Sequence, residues 1–201
     1  MFYNIARAIV RLILRLFFRC EYMCVENIPK DGPVIVASNH LSFWDPPVIG
    51  CAFERHIHFM AKEELFKMPV FGWIITQLKA FPVKRGAADR AAIRMALSLL
   101  EGGEIVGLFP EGTRSKNGQI GKAEPGLALI AAKAGAVIVP TAIVGTDKVL
   151  AKGCLLPKFQ VIFGKPIILE KGITDKEYLE KITKQMMNEI AALIGREYLH
   201  G

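Results

Sequence analysis

Val34-Ile-Val-Ala-Ser38 runs without a break into Asn39-His40-Leu41-Ser42-Phe43-Trp44-Asp45. The first residues form a short apolar run rich in β-branched side chains, the pattern of a strand buried on both faces. A polar cluster with a histidine and a carboxylate follows at once. Asp45-Pro46-Pro47 then signals a helix start, because aspartate caps a helix well and proline suits its first turn. A strand, a polar loop and a helix are the building unit of parallel α/β sheets, in which ligands bind beyond the carboxyl ends of the strands. His40 falls at such an end.

The same alternation continues outward. Short apolar runs at 34–37, 56–60, 105–109, 137–144 and 160–163 predict strands, and helical patterns are predicted at 46–53, 69–78, 88–100, 125–134 and 175–194. Thr174 with Glu177 reads as a capping box for the last helix, with Leu179, Ile182, Met186, Ile190 and Leu193 as one apolar face. Pro140 within a strand-like run predicts an edge or bulge position. The fold class expected is a single α/β domain over 21–201, with a central mixed, largely parallel sheet flanked by helices. Residues 1–20 form a separate amphipathic helical segment.

With 201 residues, 52% apolar and 22% charged, the chain has enough apolar material for one core and is not a disordered chain. No repeat or low-complexity tract interrupts it. The formal charge of +7 points to anionic partners: nucleic acid, a membrane surface or a phosphorylated substrate. Met1 to Cys20 carries four arginines and no acid, so much of this charge lies in the first tenth of the chain. Cys20, Cys24, Cys51 and Cys154 form no C-x-x-C pair and no secretory signal pattern is present, so reduced thiols in a cytosolic setting are expected.

In the first segment Arg7, Arg11, Arg15 and Arg19 recur at i, i+4, while Ile5, Ile9, Leu12, Ile13, Leu16 and Phe17 fill much of the rest. A helix here is roughly 27 Å long, but each central arginine adds about 2.5 to 3.5 kcal/mol to insertion. Lying in a membrane interface is favoured over spanning it, with packing on the domain as the alternative.

A histidine past a buried strand can act as a general base near neutral pH, and a carboxylate five residues on reaches its other ring nitrogen if the chain turns. His40 and Asp45 fit that pair, although a helix cap and a structural histidine account for the same spacing. Phe109-Pro-Glu-Gly-Thr-Arg-Ser115 also follows a strand, and its glycine, hydroxyl, arginine and backbone donors suit a phosphate. A third element, Phe81-Pro-Val-Lys-Arg-Gly86, presents Lys84 and Arg85. Patterns for the hydrolase nucleophile elbow, P-loop, dinucleotide fold and zinc proteases are absent from the sequence. His56 and His58 alternate on one strand face without a third ligand at metal spacing, and most phenylalanines fall in apolar periodic runs rather than on a basic surface. Neither a metal site nor nucleic-acid binding is expected.

Taken together, N-H-L-S-F-W-D at 39–45 and F-P-E-G-T-R-S at 109–115 resemble the signature blocks of the 1-acyl-glycerol-3-phosphate acyltransferases, a family of glycerolipid acyltransferases. F-P-V-K-R at 81–85 resembles the second block and I-V-P-T-A at 138–142 the fourth. The four in order span about 33–166. The resemblance implies an acyltransferase with His40 as base and Asp45 holding the imidazole. It assigns Glu111, Gly112, Thr113 and Arg114 to the acceptor's glycerol phosphate and adds Arg85 as a second cation. Lys62, just past the 56–60 run, is a candidate further phosphate ligand.

On this resemblance the partners are lysophosphatidic acid, an acyl thioester (acyl-CoA or acyl-carrier protein) and an anionic membrane surface, with no metal or redox cofactor. The protein is expected at the cytoplasmic face of a membrane, peripheral or monotopic. Glycerol 3-phosphate or another lysophospholipid is the alternative acceptor, and a non-catalytic lipid-binding module is the alternative of a different class. The apolar stretch 68–78 is too short to span and fits core packing, dipping into lipid or lining an acyl channel.

Overall fold

The computed structural model of the protein describes residues 1–84, 89–115, 118–124, 126–149, 156–195 and 198. Arg85, Gly86, Ala88, Pro125 and Cys154, all used in the sequence reading, lie outside these residues. Seven strands, β1 (Glu21–Met23), β2 (Val34–Ser38), β3 (Ile57–Lys62), β4 (Phe81–Val83), β5 (Ile105–Leu108), β6 (Val137–Val144) and β7 (Gln160–Phe163), form one sheet. Their order is β1-β7-β6-β2-β5-β3-β4. β6, β2, β5, β3 and β4 are parallel, while β7 runs antiparallel to β6 and β1 follows β7. The sheet is therefore mixed and largely parallel, with the apolar run that opened the sequence reading at its centre.

β2 is buried along its whole length because helices cover both faces of the sheet. Ile35 and Ala37 point into a core shared with α5 (Arg90–Glu101), α6 (Gly126–Ala134) and α7 (Lys176–Leu193). Val34 and Val36 point into a second core with α1 (Phe2–Phe17) and α2 (Asp45–Gly50). Two further helices, α3 (Glu63–Phe66) and α4 (Pro69–Gln77), follow β3. Gly107 in β5 lies against the Phe59 ring, 2.4 Å from where a Cβ would sit, so only glycine admits this ring.

Two local expectations are corrected and a third is narrowed. Pro140 is not at a sheet edge, since β6 lies between β2 and β7, but it borders a bulge: Thr141 pairs with Phe163 whereas Ile138 pairs with Ile167, so the strand opposite carries one extra residue beside Pro140. Its carbonyl accepts from Gly164 N–H at 2.7 Å on the β7 side, where its missing donor also points, so the ladder to β2 loses nothing. The last helix is capped by Asp175 rather than Thr174, the carboxylate accepting from Tyr178 N–H at 2.9 Å. The helix predicted at 46–53 is shorter, Asp45–Gly50, and Asp45 is its first residue rather than its cap.

The first segment is a helix, but Arg7 and Arg11 turn toward the protein. Arg7 donates to the carbonyls of Phe53 and Glu54 at 2.8 and 2.7 Å, and Arg11 to that of Cys51 at 2.8 Å. These carbonyls follow the carboxyl end of α2, where a cation suits both the unpaired oxygens and the helix dipole. Ile5, Ile9, Leu12 and Leu16 face outward with half or more of each residue exposed. Val70 and Trp73 of α4 are exposed beside them, Phe2 packing edge-on against Trp73.

Candidate active site

The site is assembled at the carboxyl edge of the parallel strands. After β2 the chain turns so sharply that Asp45 comes back over residues 40–42. Asp45 Oδ2 accepts from the backbone N–H of Leu41 at 2.6 Å and of Ser42 at 2.7 Å. It also lies 2.7 Å from His40 Nδ1. These backward side-chain-to-backbone bonds close the loop on the histidine, so one carboxylate folds the loop and orients the ring. Asp45 is fully buried and His40 nearly so. With Nδ1 given to Asp45, the nitrogen that faces the neighbouring cavity is Nε2.

Two further contacts hold His40. Its ring stacks on Phe109, centroids 3.9 Å apart and planes 15° from parallel, and Phe109 in turn stacks on Phe59. Its backbone N–H donates to Glu111 Oε1 at 3.0 Å, and its carbonyl accepts from Ser115 N–H at 2.8 Å. Asn39 is structural as well: its side-chain amide donates to Ile143 O and its oxygen accepts from Ile143 N–H, continuing the β2–β6 ladder. The sequence reading gave no role to Asn39 or to the Phe109 ring, because a stack and an amide bridge leave no periodic signal.

Glu111 turns away from the cavity. Its second oxygen accepts from Gly121 N–H at 2.7 Å, so the carboxylate ties the 109–115 loop to residues 40 and 121. Burial pushes its carboxyl pKa up, partly offset by those two N–H donors. Gly112 adopts φ +66° in the turn closed by its N–H on Phe109 O, and Thr113 is exposed. Arg114 does reach the cavity, its guanidinium 3.8 Å over the Phe43 ring. Lys62 reaches it from the end of β3, with Glu64 3.1 Å from its ammonium. Arg85 lies outside the described residues.

The cavity itself measures about 330 Å³ and is mainly apolar. Tyr3, Val10, Phe59, Phe71, Ile74 and Leu78 are among its walls, so α1 and α4 complete a chamber that begins at His40. The stretch 68–78 therefore divides its side chains between this wall and the exposed surface. Cys51 also lines it, its thiol pushed up to about 11 by burial. His58, considered for metal, has Nδ1 3.1 Å from the Lys79 carbonyl, and His56 packs edge-on against Tyr3. Among the described residues, no group of three or more histidine, cysteine or acidic side chains is placed to hold a metal ion.

Comparison with known proteins is concordant. The acyltransferase family matches residues 19–144. A chloroplastic 1-acyl-sn-glycerol-3-phosphate acyltransferase of Arabidopsis thaliana is 32% identical over 85% of this chain, which spans only 50% of that relative's length. The 1-acyl-sn-glycerol-3-phosphate acyltransferase of Bacillus subtilis is 30% identical over 95% of this chain and 96% of its own. The crystal structure of the 1-acyl-sn-glycerophosphate acyltransferase from Thermotoga maritima superposes with a TM-score of 0.73 at 30% identity, covering 98% of this chain and 81% of that one. The chain thus belongs to the acyltransferase family, among the 1-acyl-sn-glycerol-3-phosphate acyltransferases.

Proposed function

We propose that the protein transfers an acyl group from a thioester to the sn-2 hydroxyl of 1-acyl-sn-glycerol 3-phosphate, giving phosphatidic acid. The observation that carries this reading is the His40–Asp45 pair, with Nε2 facing an apolar cavity that Lys62 and Arg114 also line. His40 Nε2 takes the hydroxyl proton as the alkoxide oxygen attacks the thioester carbonyl. Asp45 stabilises the imidazolium that forms. The tetrahedral adduct collapses with loss of the carbon–sulfur bond, and the imidazolium returns its proton to the thiolate. Arg114 and Lys62 bind the acceptor phosphate, which fixes the hydroxyl against the thioester and spends binding energy on alignment. The acyl chain of the donor occupies the apolar chamber. Glu111 acts on the loop that carries Arg114 rather than on substrate.

The substrates are lipids, and the exposed apolar residues of α1 and α4 form the face that meets a membrane. Among the described residues no helix is long and apolar enough to cross one. Docking through this face would place the chamber walls formed by α1 and α4 against the lipid. The test offers 1-acyl-sn-glycerol 3-phosphate, glycerol 3-phosphate and a lysophospholipid with a capped phosphate to the purified protein with acyl-CoA or acyl-carrier protein. Mass spectrometry should find phosphatidic acid as the main product. A preference for the capped lysophospholipid would reject the phosphate assignment, and no acylation of any acceptor with either donor would reject the enzyme reading.

A further inference from the structure

Asp45 has a partner that lies in none of the four sequence blocks. Thr146 opens a 3-10 turn, Thr146–Lys148, directly after β6, and its hydroxyl donates to Asp45 Oδ1 at 2.6 Å. The two residues are 101 apart in sequence and both are buried, Thr146 at 1% exposure and Asp45 at 0%. The turn that delivers Thr146 is itself constrained. Gly145 has φ +91°, and a Cβ there would sit 2.3 Å from the Lys158 carbonyl oxygen, so no other residue fits without displacing backbone.

The donors on the two carboxylate oxygens are unequally divided. Oδ2 serves His40 Nδ1, Leu41 N–H and Ser42 N–H, whereas among the described residues Oδ1 has Thr146 alone. A carboxylate turns readily about its Cβ–Cγ bond, and a donor on the far oxygen opposes that turn. We propose that Thr146 is a positioning residue of the acyl transfer: its hydroxyl locks the Asp45 carboxylate with Oδ2 on His40 Nδ1, keeping the imidazole in the tautomer whose bare Nε2 faces the cavity. This rests on the acyl-transfer reading above. The chain then carries a hydroxyl–carboxylate–imidazole series built from the ends of β2 and β6. Threonine suits the far position because its methyl group fills buried space while its hydroxyl donates.

The test compares Thr146→Val, which keeps the shape and removes the donor, with Thr146→Ser, which keeps the donor. Thr146→Ala is measured in parallel, so the comparison with serine stands if the valine variant misfolds. The valine and alanine variants should lose about 10- to 100-fold in kcat with the acceptor KM within about twofold, and serine should stay within about threefold of wild type. Nitrogen-15 spectra of the imidazoles, with His40 assigned by its loss in His40→Ala, should show the Nδ1–H tautomer in wild type and serine and a mixture in valine. Wild-type kcat in the valine variant, equal losses in valine and serine, or an unchanged His40 tautomer in valine would each overturn the proposal. Should the wild type transfer no acyl group, the acyl-transfer reading fails by itself, and the tautomer comparison still judges the role of Thr146.

Discussion

Glu111 occupies a position that its chemistry makes expensive. Its carboxylate is buried and held by two backbone N–H groups, and the net effect on its pKa is upward. A carboxyl whose pKa is higher in the folded chain contributes stability that is complete below the unfolded value and lost as pH rises through the folded one. The stability of wild type relative to Glu111→Gln, from urea titrations, should therefore fall as pH rises above the ordinary carboxylate range. An advantage that grows with pH would contradict the assigned environment. The glutamine also turns an amide toward one of the two donors, which costs about 1 to 3 kcal/mol at any pH. Residues within one turn, such as Asp45 folding back onto His40, are legible because the signal is local. Thr146 is not, since nothing in a sequence marks one threonine among several as lying 2.6 Å from a carboxylate 101 positions away.

Among the elements, the strands with long apolar runs announce themselves, while β1, β4 and α3 do not. Three or four residues are too few to display a period of 2 or 3.6, and these elements exist because neighbouring backbone offers partners. The orientation of α1 is also hidden, for the arginine stripe and the apolar stripe are both plain but their environments are set by the carbonyls after α2. Two substitutions separate the faces. Leu12→Glu on the outward stripe should abolish sedimentation with anionic vesicles while leaving the melting temperature near wild type. Arg11→Ala should lower stability by about 1 to 2 kcal/mol and leave vesicle binding intact. The reverse pattern would place the arginines, not the apolar stripe, at the lipid. In β5, Gly107→Ala forces the Phe59 ring away and disturbs the Phe59–Phe109–His40 stack. A cost of about 1 to 3 kcal/mol in denaturation is expected, with turnover reduced as well.

On the scale of the whole molecule, the parallel part of the sheet explains why distant residues converge. His40, Lys62, Phe109 and Thr146 follow or end four strands that run the same way, so their loops open on one edge. Helices α1 and α4 then roof that edge with apolar side chains, and the same helices expose apolar surface on their other side. The His40–Asp45 pair, the apolar chamber and the exposed apolar surface are thereby stacked in one direction. The most direct measurement is thiol release from a long-chain acyl-CoA by purified protein on vesicles, with and without 1-acyl-sn-glycerol 3-phosphate, beside His40→Ala. Release should require the acceptor, and His40→Ala should be slower by about 10²-fold or more while binding vesicles as wild type does. Release without acceptor, or wild-type turnover in His40→Ala, would contradict acyl transfer by this histidine.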